Sequence, residues 1–81
     1  MKSEKPRYIL YFYHKIIGRI VKTYVLIDIN GRKILNTTDK NKVRITLDLI
    51  GLNNYKKVLR IDNRLNVRKS YQSASIEYYE R

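Results

Sequence analysis

The chain contains no cysteine, no tryptophan, one proline and one histidine among its 81 residues. Without cysteine it has no disulfide, no thiolate metal site and no cysteine nucleophile. A single histidine, His14, is too few for a histidine-based metal site within one chain, and its simplest role is that of a polar residue at a strand end. These absences exclude cysteine-dependent catalysis and most zinc sites.

Long apolar runs are also missing. No stretch approaches the roughly 18 consecutive apolar residues of a membrane-spanning helix, and the first residues lack the apolar segment of a signal peptide. We therefore expect a protein that has no membrane partner and acts in the cytoplasm, or in the host cytoplasm if it is viral. Residues 1–6 are predicted to be a flexible basic N-terminal arm, and 7–81 a single small β-rich domain.

Acidic residues are scarce, since 7 Asp and Glu stand against 18 Lys and Arg, for a formal net charge of +11. The positive excess is spread along the whole chain. A field of this sign attracts phosphate backbones and other polyanions. We interpret it as indicating a polyanionic partner, and the alternative is a charged surface that only keeps a small β protein in solution.

Asn30-Gly31 is the clearest turn signal. Both central residues of a two-residue type I′ turn have positive φ, which Asn and Gly tolerate best. The predicted hairpin spans residues 19–35, and its first strand has apolar groups on both faces, as in a central strand covered on two sides. The register predicted from this turn pairs Asp28 with Lys33, Ile27 with Ile34 and Leu26 with Leu35.

Alternating apolar residues predict the other strands. In 7–15, one face carries Tyr8, Leu10, Phe12 and His14, and the other carries Ile9, Tyr11 and Tyr13. Residues 43–50 alternate most cleanly, with Val43, Ile45, Leu47 and Leu49 on the buried side. A turn near Gly18 joins the first strand to the hairpin, although a helix over 16–24 also fits a 3.6-residue period. Short strands are further predicted over 55–62, 65–68 and 73–79, with a loop over 69–73.

The pattern predicts an all-β fold, a small barrel or sandwich of about six short antiparallel strands. Residues 55–62 are ambiguous, because Asn54 is an acceptable helix N-cap. A helix there would place Lys56 and Lys57 in its first turn, where the helix dipole disfavours cations. The alternative fold is α+β, with a helix at 52–62 packed on the sheet.

Catalysis has little support in the sequence. Four aspartates have the oxygen ligands that Mg²⁺ prefers, but each has a simpler structural role and their spacing matches no nuclease pattern: Asp28, Asp39, Asp48 and Asp62. The glycines stand singly at 18, 31 and 51, so there is no phosphate-binding glycine loop. We expect a protein that is not an enzyme and has no cofactor and no metal.

Basic residues interleaved with tyrosines are the feature that points to a function. Cations neutralise phosphates and release counterions, and flat rings stack on bases. The alternative for any one of the eight tyrosines is a structural role, as a large residue in the core or at its rim. The predicted nucleic-acid-binding residues are Lys15, Arg19, Lys22, Lys56, Lys57, Arg60, Arg64, Arg68 and Lys69, with Tyr11 and Tyr13 as an exposed pair of rings.

The sequence therefore predicts a small basic protein that binds the phosphate backbone of DNA or RNA. Low sequence specificity is expected, because no recognition helix is evident. The alternative is a non-enzymatic interaction or assembly protein, a viral or accessory factor that acts as a dimer on an acidic protein partner. A homodimer through a sheet edge or an apolar face would bury surface that so short a chain leaves exposed.

Overall fold

The computed structural model describes residues 5–16, 18–61 and 70–81. Within these ranges the chain forms five strands and one α-helix, with a short 3₁₀ helix (Leu52–Asn54) after the α-helix. The elements are β1 (Tyr8–Ile16), β2 (Ile20–Asp28), β3 (Lys33–Thr37), α1 (Lys40–Ile50), β4 (Lys56–Ile61) and β5 (Ser70–Tyr79). The protein is thus mainly β, as the sequence predicts.

The described strands form one antiparallel sheet in the order β3-β2-β1-β5-β4. The hairpin strand β2 is an interior strand with β3 and β1 on its two edges, and β1 is the middle strand of the five, since β5 pairs with its other edge. Directly opposed residues lie on the same face of a sheet. A row across one face accordingly comprises Asn36, Val25, Tyr11, Ser75 and Arg60.

One side of the sheet, termed the helix face, packs against α1. Its core comprises Leu10, Leu26, Val43, Leu52 and Tyr78, none more than 6% exposed. Burial of one such side chain contributes about 2 kcal/mol. Burial without a charge partner also raises the pKa of the Tyr78 hydroxyl. This layer is the main hydrophobic core of the described protein.

The other side, termed the open face, carries Tyr11, Tyr13 and Val25, and no described element packs on it. Val25 is nevertheless only 2% exposed, and Thr23 and Ser75 are each 7% exposed. Tyr11 lies directly opposite both Val25 and Ser75, and Tyr13 lies opposite Thr23. The two tyrosines are thus the large neighbours that shield small side chains on this face.

Residues 43–50 belong to α1, so the strand predicted there is wrong. Val43 and Leu47 face the core, as both a strand and a helix would place them. Ile45 and Leu49, predicted to be buried, are 59% and 83% exposed. A helical period of 3.6 residues puts these two side chains on the far side of α1 from the sheet.

The two ends of α1 explain why the helix forms. Asp39 is the N-cap, and its carboxylate accepts a hydrogen bond from the N–H of Asn41 at 2.9 Å. Gly51 ends the helix with a φ of 79°, a left-handed conformation that costs a residue with a Cβ about 1–2 kcal/mol. Its N–H donates to the carbonyls of Leu47 and Asp48.

The turn between β2 and β3 is not the predicted type I′ turn. Asn30 has a negative φ, and Gly31 alone in the turn has a positive φ, of 79°. The carbonyl of Asp28 accepts from the N–H of Gly31 at 3.0 Å, and its carboxylate accepts from the N–H groups of Asn30 and Arg32, each at 2.9 Å. This is a three-residue loop, a type I turn followed by a left-handed glycine.

The longer loop changes part of the hairpin register. Leu26 pairs with Leu35 as predicted, but the register then shifts and Ile27 pairs with Lys33. The predicted pairing of Asp28 with Lys33 is wrong, because a bulge takes up one residue of β3 and the Asp28 carboxylate is bound within the turn.

Most other predicted elements occur in the structure. The two faces of β1 are as predicted, and the ambiguous 55–62 is mainly the strand β4 rather than a helix. Residues 70–73, predicted to be loop, belong to β5, whereas the strand predicted over 65–68 lies outside the described residues. In the described ranges, no helix has the length and apolar character needed to cross a membrane.

Candidate functional site

Three residues of β1 follow one another along the middle of the open face. Tyr11, Tyr13 and Lys15 occupy alternate positions of the central strand, about 7 Å apart at each step. Both tyrosines are half-buried, and Lys15 is exposed. The strand thus presents two rings and then an ammonium group in a line.

A groove lies at the lysine end of this line, where β3 ends and β2 continues. The last pair between these strands joins Tyr24 to Thr37, so 20–23 form an edge of the described sheet. The groove has a volume of about 480 Å³, within the range of small-ligand sites. Its lining residues are Tyr13, Lys15, Val21, Thr23, Asn36, Thr37 and Thr38.

The groove combines a cation, an aromatic ring, hydroxyl groups and an amide. A lysine ammonium is a compact charge suited to a phosphate, and the amide of Asn36 provides both a donor and an acceptor. The hydroxyl of Thr37 is already engaged, since it accepts from the N–H of Asp39 at 3.0 Å. Lys15 has no carboxylate partner among the described residues.

Arg60 is a second cation of the open face, on the edge strand β4. Its Nε–H donates to Oε1 of Glu77 at 2.9 Å, and the hydroxyl of Tyr79 donates to the same oxygen at 2.7 Å. The hydrogen bond from Tyr79 and, to a smaller extent, that from Arg60 lower the pKa of Glu77. The hydrogen bond between Tyr79 and Glu77 also raises the pKa of the Tyr79 hydroxyl. The Arg60 side chain is 63% exposed, so it remains accessible while Glu77 orients it.

The structure brings five of the sequence-predicted binding residues to the open face: Tyr11, Tyr13, Lys15, Lys56 and Arg60. Lys22 and Lys57 lie on the helix face instead. The Nζ of Lys22 is 5.1 Å and 5.4 Å from the ring centroids of Phe12 and Tyr24, distances typical of a cation–π contact. Lys22 therefore has a packing role within the fold.

The remaining predicted residues lie elsewhere. Arg19 is exposed in the connection between β1 and β2. Arg64, Arg68 and Lys69 lie outside the described residues.

Several polar residues of the site were not predicted from the sequence. Thr23, Asn36 and Thr38 line the groove, and Glu77 orients Arg60. The run Asn36-Thr37-Thr38 signals only that a strand is ending. Its position beside Tyr13 and Lys15 depends on β2 being longer than β3, which no local pattern reveals.

The described aspartates have structural hydrogen bonds. Asp28 and Asp39 accept from backbone N–H groups, and Asp48 accepts from the amide of Asn53 at 3.3 Å. Asp62 lies outside the described residues. In the described part of the chain, no three His, Asp or Glu side chains come close enough together to hold a metal ion.

A second depression of about 360 Å³ is lined by Arg7, Tyr8, Asp28, Ile29, Tyr55 and Glu80. Its arginine is paired, with Nη2 of Arg7 2.7 Å from Oε1 of Glu80. The groove beside Lys15 is therefore the better candidate for an anionic ligand.

Comparison of the chain with protein-family models, with curated proteins and with solved structures finds no match.

Proposed function

We propose that the protein binds nucleic acid, DNA or RNA, across the open face. The observation that carries this proposal is the succession of Tyr11, Tyr13 and Lys15 along the central strand. Rings on an uncovered sheet are a recurrent means of stacking unpaired bases, and a neighbouring ammonium group neutralises phosphate. The site therefore has partners for both parts of a nucleotide.

Charge on the open face extends the contact to further phosphates. Arg60 lies two strands from Tyr11 in the same cross-sheet row, and Lys56 lies on the same face near the other end of β4. Backbone contacts of this kind fix position without reading sequence, so low sequence specificity is expected. A net charge of +11 further speeds encounter with a polyanion. The proposed compartment is the cytoplasm, where such partners are present.

The test is a salt series of fluorescence-anisotropy titrations with labelled DNA and RNA, single-stranded and duplex. If about four phosphates are neutralised, log K for single strands falls with log salt at a slope near −3. A slope near zero contradicts the proposed phosphate contacts.

Tyrosine variants test the contribution of the rings. Tyr11→Leu and Tyr13→Leu each remove one ring and leave the net charge of the protein unchanged. Because each variant has one base fewer stacked on a ring, each is expected to bind about tenfold or more weakly. Tyr24→Leu is the matched control, because Tyr24 packs edge-to-face on Phe12 on the helix face, with centroids 5.4 Å apart. If all three variants bind like the unchanged protein, the open face is not the binding surface.

A second candidate function is assembly as a homodimer on an acidic protein partner. It is favoured by two sets of exposed apolar side chains: Ile45 and Leu49 on the outer side of α1, and Leu59 and Ile61 on the helix face of β4. Pairing of β4 with its copy is disfavoured, because Lys56, Lys57 and Arg60 would approach like charges. We therefore propose that a dimer would use one of these two apolar surfaces rather than the β4 edge.

Sedimentation velocity over a concentration series tests the dimer. Self-association that Leu59→Glu or Leu49→Glu abolishes supports it, and a monomer at the highest concentration contradicts it.

A further inference from the structure

We infer that the groove at the end of β1 holds one nucleotide of a single-stranded nucleic acid, with its phosphate on Lys15 and its base against Tyr13. This inference rests on the proposed function and names the class of nucleic acid. It concerns a part of the open face that Tyr11 and Arg60 do not reach.

The position of the groove supports a ligand that continues along β1. A strand whose bases stack on Tyr11 and Tyr13 follows the direction of β1 and reaches Lys15 next. There the absence of a β3 partner for residues 20–23 opens the space that the groove occupies. A chain stacked on the tyrosines therefore passes into the groove without changing direction.

The side chains of the groove fit a nucleotide with an unpaired base. Asn36 and Thr38 are exposed and face Tyr13 and Lys15 across the groove. An amide and a hydroxyl can bind the edge of a base, which is accessible only when the base is unpaired. In a duplex that edge is occupied and the ring face is stacked, so a duplex has nothing to place in the groove.

The decisive variant is Asn36→Ala with Thr38→Val, which removes both polar groups and no charge. Asn41→Ala is the matched control, because Asn41 is exposed on α1, on the other side of the sheet. The probes are labelled ten-nucleotide dT and rU single strands, a DNA hairpin duplex, and polyglutamate as competitor. Both single strands are included because the groove chemistry is common to DNA and RNA.

The groove variant is expected to bind the single strands about fivefold to tenfold more weakly, as the loss of one or two hydrogen bonds implies. Its salt slope and its duplex affinity are expected to match those of the unchanged protein. In an ¹⁵N-edited NMR titration, the amides of Thr23, Asn36 and Thr38 should shift with a single strand and not with the duplex.

The failures are distinguishable. If the groove variant binds single strands normally while Tyr11→Leu does not, the groove assignment is overturned and the proposed function stands. The single-strand assignment is also overturned if the groove variant loses as much affinity for the duplex as for the single strands. It is overturned as well if polyglutamate competes for the protein as effectively as a single strand does. If the unchanged protein binds no nucleic acid at all, the proposed function fails and the groove assignment fails with it.

Discussion

Arg60 and Glu77 form an ion pair that joins neighbouring strands diagonally. In the backbone register Arg60 is opposite Ser75 and Glu77 is opposite Val58, yet Nε of Arg60 lies 2.9 Å from Oε1 of Glu77. The pair thus links two residues that are not directly opposite each other in the β4–β5 ladder. It ties the edge strand β4, most of whose residues are exposed, to β5.

Replacing Glu77 should change both stability and its pH dependence. The hydrogen bonds from Tyr79 and Arg60 lower the pKa of Glu77 below its ordinary 4.5. Their contribution is therefore fully present above that pH and is lost as the pH falls through the lowered pKa. Glu77→Gln is expected to reduce the free energy of unfolding at pH 7 by up to about 1 kcal/mol.

Urea unfolding from pH 7 into the acid range measures this effect. The difference between variant and unchanged protein should shrink as the pH falls through the lowered pKa of Glu77. Glu80→Gln is the control, because Glu80 also pairs with an arginine, Arg7, but its side chain is 60% exposed, against 16% for Glu77. A difference for Glu77→Gln that stays constant with pH contradicts the role assigned to the carboxylate.

The N-cap of α1 should contribute measurably to stability. Asp39→Ala removes the acceptor for the N–H of Asn41 and is expected to cost about 1 kcal/mol in unfolding free energy. Asp48→Ala is the matched control near the other end of α1, where a negative charge is unfavourable to the helix dipole. Thermal unfolding, monitored by circular dichroism, compares the stability of the two variants. Equal losses of unfolding free energy would show that Asp39 is not acting as a cap.

Leu47 and Leu49 distinguish a helix from a strand at 43–50. Leu47 packs against the core, whereas Leu49 is 83% exposed. Leu47→Ala is expected to cost about 2 kcal/mol, and Leu49→Ala less than about 0.5 kcal/mol. Chemical denaturation measures both, and similar costs would favour the strand predicted from alternation.

Lys15 and Lys22 carry the same charge on opposite faces of the sheet. Lys15→Met should weaken nucleic-acid binding and reduce the salt slope by about 1. Lys22→Met should leave binding nearly unchanged and cost about 0.5–1 kcal/mol of stability through its contacts with Phe12 and Tyr24. Anisotropy and unfolding measurements on both variants check this, and equal effects on binding would refute a face-specific site.

The strands could be predicted where the apolar residues fit a two-residue period and did not also fit a helical one. In β1 the two faces carry different residues, and the prediction is confirmed. In 43–50 the apolar residues satisfy both a two-residue and a 3.6-residue period, so alternation alone misleads. The deciding signals were Asp39 before the segment and Gly51 after it, the two caps that enclose the 11 residues of α1.

The candidate site was predictable only in part. Tyr11 and Tyr13 share a face because they are two positions apart, and the sequence suffices for that inference. The separation of Lys15 from Lys22 and the position of Asn36 beside Lys15 depend on register and strand length. These arise from how neighbouring strands pair and where each strand ends, which the alternation of side chains does not encode.

The pairing of β1 with β5 joins segments that lie far apart in the sequence. Tyr8 pairs with Tyr78, seventy positions later, whereas β1–β2, β2–β3 and β4–β5 join consecutive strands. Local pairs form early and distant pairs slowly, because a long loop must be closed first. Until β5 arrives, one edge of the aromatic-rich β1 is bare and can pair with another chain. We therefore expect slow pairing of β5 with β1 to lengthen the time in which the chain can aggregate instead of folding.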